Sequence, residues 1–572
     1  MSKFLQLSLI LITLLVTLLI VHFEKEYNAT SIERNISNKQ WLTVLLVPLD
    51  SRPPCTQFVE QLAHMAGIKL LMPQPEILDE YNNPASKEAL RSWLRQASHQ
   101  ADAAIISTDM LIHGSLVASR LSLGTLEDSA AVTTLLTEIH QENPYLKIYA
   151  FNIIPRLLIA DSPENVAFQK SMLQYSVLKD QVSIFGNLED TKKLADLEEK
   201  IPADIIKHYR DNYEENTRLN MALMNMVETG VLSGLVIGQD DGQPFGIPNM
   251  NKQRLLHQLQ QKPALANKVF ITRGTDEVAL TLLGHLTMQF SQYQPRIYVM
   301  YSTLKGSQIT MPFMPNTVGK TVQEKINIAG GLQVDSPQEA DYILYVHVGT
   351  KDSKSLLKPA AQELENLLNQ GYKVALVDLT ENFQISETLL PVLIKNNGNI
   401  SRLIAYAGWN STSNSIGTAI TQASLFTSSM HFYSGNTLEL LALYQENLEF
   451  LIARFLDDLF FQKEINPFIN KELKALHIDP YQLRSHYYQT NDKIQKLMFS
   501  KARWLLREAL YNHTIFIETS QGPQEVMITN LDIQTYLPWQ RTFEIWLKPT
   551  LSLATIHQEH KFFRKTIDKA LE

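Results

Sequence analysis

Five apolar runs in this chain end in small clusters of Asp, Arg, Asn or Gly, and these clusters hold the residues that can do chemistry. The sharpest is Asp276-Glu277. Adjacent residues leaving a strand point to different sides, so one carboxyl can donate a proton while its neighbour orients a substrate or stabilises charge. This assigns Glu277 as general acid and Asp276 as its partner. The alternative is that Thr275-Asp276 caps a helix beginning at Val278. Asp240-Asp241 stands in a Gly- and Pro-marked loop and can grip sugar hydroxyls, bind a hard cation or act as a catalytic pair. Asp50-Ser51-Arg52 sets a carboxylate beside a guanidinium, which suits either an anionic substrate group or a structural ion pair. Asp109 and His113 lie four apart before Gly114, with Arg120 beyond. Trp409, Asn410 and Asn414 suit sugar recognition, since Trp stacks on apolar ring faces and Asn amides read hydroxyls. The expected substrate-binding set is therefore Asp50, Arg52, Asp109, His113, Asp240, Asp241, Trp409, Asn410 and Asn414.

Other chemistries are less well supplied. Cys55 is the only cysteine, so there is no internal disulfide and no Cys-rich zinc cluster. It reads as a small buried residue in preference to a nucleophile. No His-x-x-x-His, Walker-type phosphate loop, Gly-x-Gly-x-x-Gly after the first strand or Gly-x-Ser-x-Gly elbow occurs. The expectation is no cofactor, with a divalent hard cation held by Asp50, Asp109, Asp240 and Asp241 as the alternative. A net charge of -8 without basic runs argues against nucleic acid as a partner.

The elements that must position these residues are βα units. The runs 42–49, 103–107, 234–238, 268–272 and 403–407 carry the clusters. Further strand-like runs lie at 69–73, 147–154, 296–302, 342–348 and 373–379. Buried parallel strands read as continuous apolar runs and present ligands at their carboxyl ends. The fold class is α/β. A (β/α)8-like barrel is preferred to two doubly wound lobes, although ten strands exceed the eight that a barrel needs. Residues 161–232 read as a helical insertion capping the site, within a core domain of residues 42–430. Residues 431–572 read as a helical subdomain with a small β element.

The uncharged run from Phe4 to Phe23 is about 30 Å long as a helix at ~1.5 Å per residue, enough to span a bilayer. No small-x-small cleavage site follows, so residues 1–23 are expected to be an uncleaved signal anchor, with 24–41 a linker. Lys3 points to a cytoplasmic N-terminus and an extracytoplasmic body at the cell membrane.

The segments Val47 to Pro53, Asp109 to Arg120, Asp240 to Pro244, Asp276-Glu277, Ala407 to Gly417 and Leu537 to Glu544 together resemble a bacterial family known as domain of unknown function 4127. That resemblance covers nearly everything after residue 41 and implies no settled activity. A shorter likeness, Gly274-Thr275-Asp276-Glu277-Val278, is similar to the strand-end motif of barrel β-hexosaminidases, which implies Glu277 as the acid and Asp276 as the orienting residue. Thr275 departs from that motif, as do Thr272 and Arg273 where a His is usual. The leading expectation is a membrane-anchored glycoside hydrolase acting on an envelope or environmental glycan. Beside it stand a metal-dependent hydrolase and a non-catalytic glycan-binding or scaffold protein.

Overall fold

The computed structural model describes residues 29–31, 40–121, 124–159, 165–409, 411–511, 513–519 and 522–556. The expected anchor, most of the expected linker and Asn410 lie outside these residues. Among the described residues, no helix is long and apolar enough to cross a membrane.

A short strand β1 (Ala29–Ser31) precedes the first parallel sheet. That sheet holds β2 (Leu42–Val47), β3 (Ile68–Leu71), β4 (Ala103–Ser107), β5 (Lys147–Ile154), β6 (Gly234–Gln239) and β7 (Val269–Arg273), in the order β3-β2-β4-β5-β6-β7. A second parallel sheet holds β8 (Arg296–Tyr301), β9 (Leu332–Val334), β10 (Tyr342–Gly349), β11 (Val374–Thr380) and β12 (Leu403–Ala407), in the order β12-β11-β10-β8-β9. Read from the second-born strand, the first sheet runs 2-1-3-4-5-6 and the second 2-1-3-4-5, the flavodoxin-like doubly wound order. No sequence repeat signals this duplication of topology.

The expected barrel is therefore corrected. The strands form two open sheets with edges at β3 and β7, and at β9 and β12. A barrel and a doubly wound sheet share βα spacing and apolar strands; they differ only in whether first and last strands pair, which is a non-local property.

Both faces of each sheet are covered, as parallel sheets require. In β2, Val44 and Leu46 join a core shared with the second sheet, whereas Leu45 and Val47 face the outer helices. In β10, Leu344 and Val346 enter the shared core while Ile343 and Tyr345 face away. Between the sheets lies the helix Thr412–Phe432, in which every residue from Thr412 to Ser429 is buried. The helices Gln169–Phe185, Leu188–Lys200 and Ala203–Glu228 fall within the expected insertion after β5. The C-terminal part adds the helices Thr437–Arg454 and Tyr487–Leu505 and an antiparallel sheet of β13 (Thr514–Thr519), β14 (Gly522–Tyr536) and β15 (Trp546–Ile556), with β1 on its edge.

Candidate active site

In a doubly wound sheet of this order, ligands bind outside the carboxyl ends where the strand order reverses. In the first sheet that point lies between β2 and β4. The turn after β2 carries Asp50, and the helix after β4, Thr108–His113, carries Asp109. The turn after β6 adds Asp240 and Asp241, and the turn after β7 adds Asp276 and Glu277.

One half of this edge is organised by Arg52. Its guanidinium donates to Asp50 Oδ2 at 2.7 Å and to Asp276 Oδ1 at 2.7 Å, so residues 224 positions apart share one cation. The Asn414 amide approaches Asp276 Oδ2 at 3.5 Å. Asp50, Arg52, Asp276 and Asn414 are all buried. Burial pushes the Asp276 carboxyl up, against the pull of Arg52. Asp79, which sequence reasoning did not single out, accepts the Ser51 N–H at 2.7 Å and is raised to about 8 by burial and by the Asp50 charge. Cys55 is buried, and burial with the Asp50 and Asp276 charges holds its thiol well above the ordinary range, so it is not a nucleophile. Trp539 closes this corner, its indole N–H donating to Ser51 Oγ at 3.2 Å; nearby, Arg541 pairs with Glu544 at 2.9 Å.

Asp276 and Glu277 do diverge. Glu277 turns inward, is fully buried, and holds Lys325 Nζ at 2.6 Å and the Ser413 hydroxyl at 2.9 Å through Oε1. Gly274 makes the inward turn possible. Its φ is +110°, and a Cβ there would come within 2.0 Å of Glu277 Oε1. A general acid must reach the leaving oxygen, and a side chain sealed against Lys325 presents no open side to one. The acid role expected for Glu277 is therefore corrected to that of an internal counter-ion. The expected helix cap is not formed either, since the helix Val278–Ser291 has no side-chain cap. Lys325 was missed, although it stands on the buried face of the helix Val318–Ile328 with Thr321, Val322 and Ile328. A charged residue in an apolar stripe is the signal that points to it.

The other half of the edge is organised by two arginines. Arg120 donates to Asp240 Oδ2 through Nε at 3.0 Å, and Arg273 Nη2 lies 3.4 Å from Asp241 Oδ1. Burial raises Asp240, but the Arg120 guanidinium and the Asp241 N–H outweigh it and hold the carboxyl below its ordinary range. Asp241 is shifted upward by desolvation and by the Asp240 charge; with 58% of its side chain exposed, the neighbouring charge is the stronger cause. Asp109 is 2% exposed and its Oδ2 accepts the Ile153 N–H at 2.9 Å. Burial raises it to about 7, with the Asp240 charge adding to the rise. Asp109 and the partly buried His113 both line a narrow cleft.

Trp409 is 8% exposed and packs against Phe58, with ring centroids 6.1 Å apart, so the expected sugar-stacking platform is corrected to a core residue. Its turn is held from the second sheet's side. Asp458 accepts the Gly408 N–H at 2.8 Å, and Lys463 donates to the Gly408 carbonyl. Both come from the π-helical segment Phe455–Ile465.

The hard-cation set of Asp50, Asp109, Asp240 and Asp241 is not gathered at one point. Among the described residues, the acid and thiol ligands close enough to share an ion are Asp50, Cys55 and Asp276, within 4.8 Å of one another. Arg52 already bridges those two carboxylates, and a thiol is a poor ligand for a hard cation.

The chain belongs to a family described as protein of unknown function (DUF4127), whose model matches residues 44–548. No curated protein matches the chain. The open sheets and the sealed Glu277 leave the short β-hexosaminidase likeness without support.

Proposed function

We propose that the protein is a glycoside-hydrolase-like enzyme, anchored in the cell membrane through residues 4–23, whose extracytoplasmic body acts on an envelope or environmental glycan. One observation carries the catalytic part. Asp109 and Asp240 stand at ends of the same sheet with their acidities displaced in opposite directions, Asp109 to about 7 and Asp240 below its ordinary value. Two carboxyls so separated supply an acid and a base at one pH. Asp109 protonates the glycosidic oxygen as the bond to the leaving group breaks. Asp240, kept ionised by Arg120, stabilises the positive charge developing at the sugar or takes a proton from the attacking water. Asp50, Arg52, Asp276 and Asn414 bind the neighbouring part of the glycan. The anchor is supported by the uncharged run itself.

The test is hydrolysis of a panel of aryl glycosides, N-acetylhexosaminides included, by the wild type, Asp109→Asn and Asp240→Asn. Loss of the acid should slow poor leaving groups by roughly 10²–10⁴-fold and activated ones much less. Wild-type silence across the panel, or unchanged rates in both variants, overturns the reading.

A further inference from the structure

The C-terminal helices carry a charge opposite to that of the rest of the chain. Residues 466–510 hold eight Lys and Arg against four Asp and Glu, a balance of +4 in a chain whose net charge is -8, so the remainder stands at -12. The fold gathers part of this charge on one face. In the helix Tyr487–Leu505, Ile494, Met498, Ala502 and Leu505 follow one another at steps of four, four and three and are buried. Tyr488, Lys496, Phe499, Arg503 and Arg507 lie on the opposite side at helical spacing and are exposed. A groove of about 520 Å³ runs along this face, lined by Lys496, Phe499, Ser500, Arg503, Trp504 and Arg507. Its cations are open to a new partner. Lys496 and Arg507 meet only the exposed Asp492 and Glu508, and such surface pairs are weak. Arg503 makes no ion pair among the described residues.

The place of this face in the fold is fixed by β14. Tyr487 Oη donates to the Leu537 carbonyl at 2.7 Å, and Gln495 Nε2 to the Thr535 carbonyl at 2.6 Å, so the helix lies along the strand and its neighbouring turn. One strand, β15, separates β14 from β1, a lateral distance of about 10 Å at ~4.8 Å per strand. β1 begins at Ala29, six residues after the apolar run ends at Phe23, which is no more than ~20 Å of chain. A span through residues 4–23 therefore holds the basic face within reach of the bilayer surface.

We propose that this face docks on anionic phospholipid headgroups of the membrane that holds the chain, a proposal that rests on the anchor reading. Guanidinium groups take phosphate oxygens in pairs, and aromatic side chains settle at the level of the headgroups. The acidic remainder of the chain is repelled by the same surface, so docking orients the body as well as holding it.

The experiment uses the full chain in vesicles of phosphatidylcholine, with or without about one-third phosphatidylglycerol. A fluorophore is placed on Ser500→Cys, since Cys55 is buried, and its quenching by headgroup-labelled lipid reports docking. Quenching should be several-fold stronger with phosphatidylglycerol and should vanish in about 1 M salt, where screening acts over ~3 Å. Each Arg beside an anionic surface favours docking by roughly fivefold, so Arg503→Glu with Arg507→Glu, both at exposed positions, should lower it at least that much. Equal quenching in the two vesicles, or a preference that survives the double variant, overturns the proposal. A fluorophore that ignores lipid charge but responds to a short single-stranded DNA assigns the face to nucleic acid and overturns it too. Extraction at alkaline pH separates the two readings. A chain stripped from the vesicles, yet docking in a charge-dependent way before stripping, overturns the anchor alone. A chain that resists stripping and shows no charge dependence overturns the docking alone.

Discussion

Replacing Asp109 by Asn should leave the protein more stable at alkaline pH while slowing its chemistry. A rise of this carboxyl from 3.8 to about 7 on folding means that the folded state holds its proton where the unfolded chain has lost it. At about 1.36 kcal/mol per tenfold change in acidity, the rise corresponds to roughly 4 kcal/mol. The sign follows from proton counting. Between pH 4 and pH 7 the native state binds more protons at this position than the unfolded state does. Its contribution to stability is therefore complete below pH 4, falls as pH rises through 7, and is lost above. The Asp109→Asn variant would carry no such dependence, yet its amide oxygen can still accept the Ile153 N–H. The assay is urea unfolding of wild type and Asp109→Asn at unit steps from pH 4 to pH 9. Asp79, raised to about 8, contributes a slope of the same sign to both proteins and cancels in the difference. The stability difference should grow in favour of the variant across pH 4–7, by up to about 4 kcal/mol, and then level off. A difference that is flat across this range would refute the raised pKa of Asp109, and with it the argument for Asp109 as the acid.

The Lys325–Glu277 pair should behave as structure. Lys325→Met, which strands a buried carboxylate, should cost about 3–5 kcal/mol in chemical unfolding, and adding Glu277→Gln should recover most of it. Arg52→Ala frees two buried carboxylates and should lower stability in chemical unfolding by a similar amount, about 3–5 kcal/mol. N-terminal sequencing of the mature protein should begin at or near Met1; a start at or beyond residue 25 would show a cleaved leader in place of an anchor.

The ten strand-like runs all appear as strands, because parallel strands buried on both faces are continuously apolar and therefore visible without partners. Their pairing was not visible, since register is set by contacts between distant residues. The same limit hid β9, only three residues long and at an edge. It also obscured β14, whose alternating buried and exposed residues dilute the apolar signal so that only Val526–Ile528 stood out. At the site, the acids at strand ends were legible, as was the divergence of Asp276 from Glu277. Which of the two faces inward was not. That depends on Lys325 and Ser413, and on room made at Gly274, all from other segments. Trp409 misled because a turn position after a strand looks the same whether its ring meets solvent or Phe58.

The two ends of the described chain are stitched together, and this bears on how the protein can be made. β1 pairs with β15, from Ala29 opposite Ile556 to Ser31 opposite Ala554. Gln57 Nε2 donates to the Leu547 carbonyl at 3.0 Å, and Trp539 reaches Ser51. The corner that holds Asp50 and Arg52 is thus closed by residues synthesised 488 and 490 positions after those they touch. Contacts of such long sequence separation slow folding, because loop closure must precede the interactions that reward it. During elongation the first sheet must wait with that edge uncovered, at translation rates of about 5–20 residues per second. A chain that is ribosome-bound, or truncated before Leu537, should hold a formed sheet and an unfinished site. Closure of this corner therefore follows synthesis of β14 and β15 and not folding of the sheet that bears the acids.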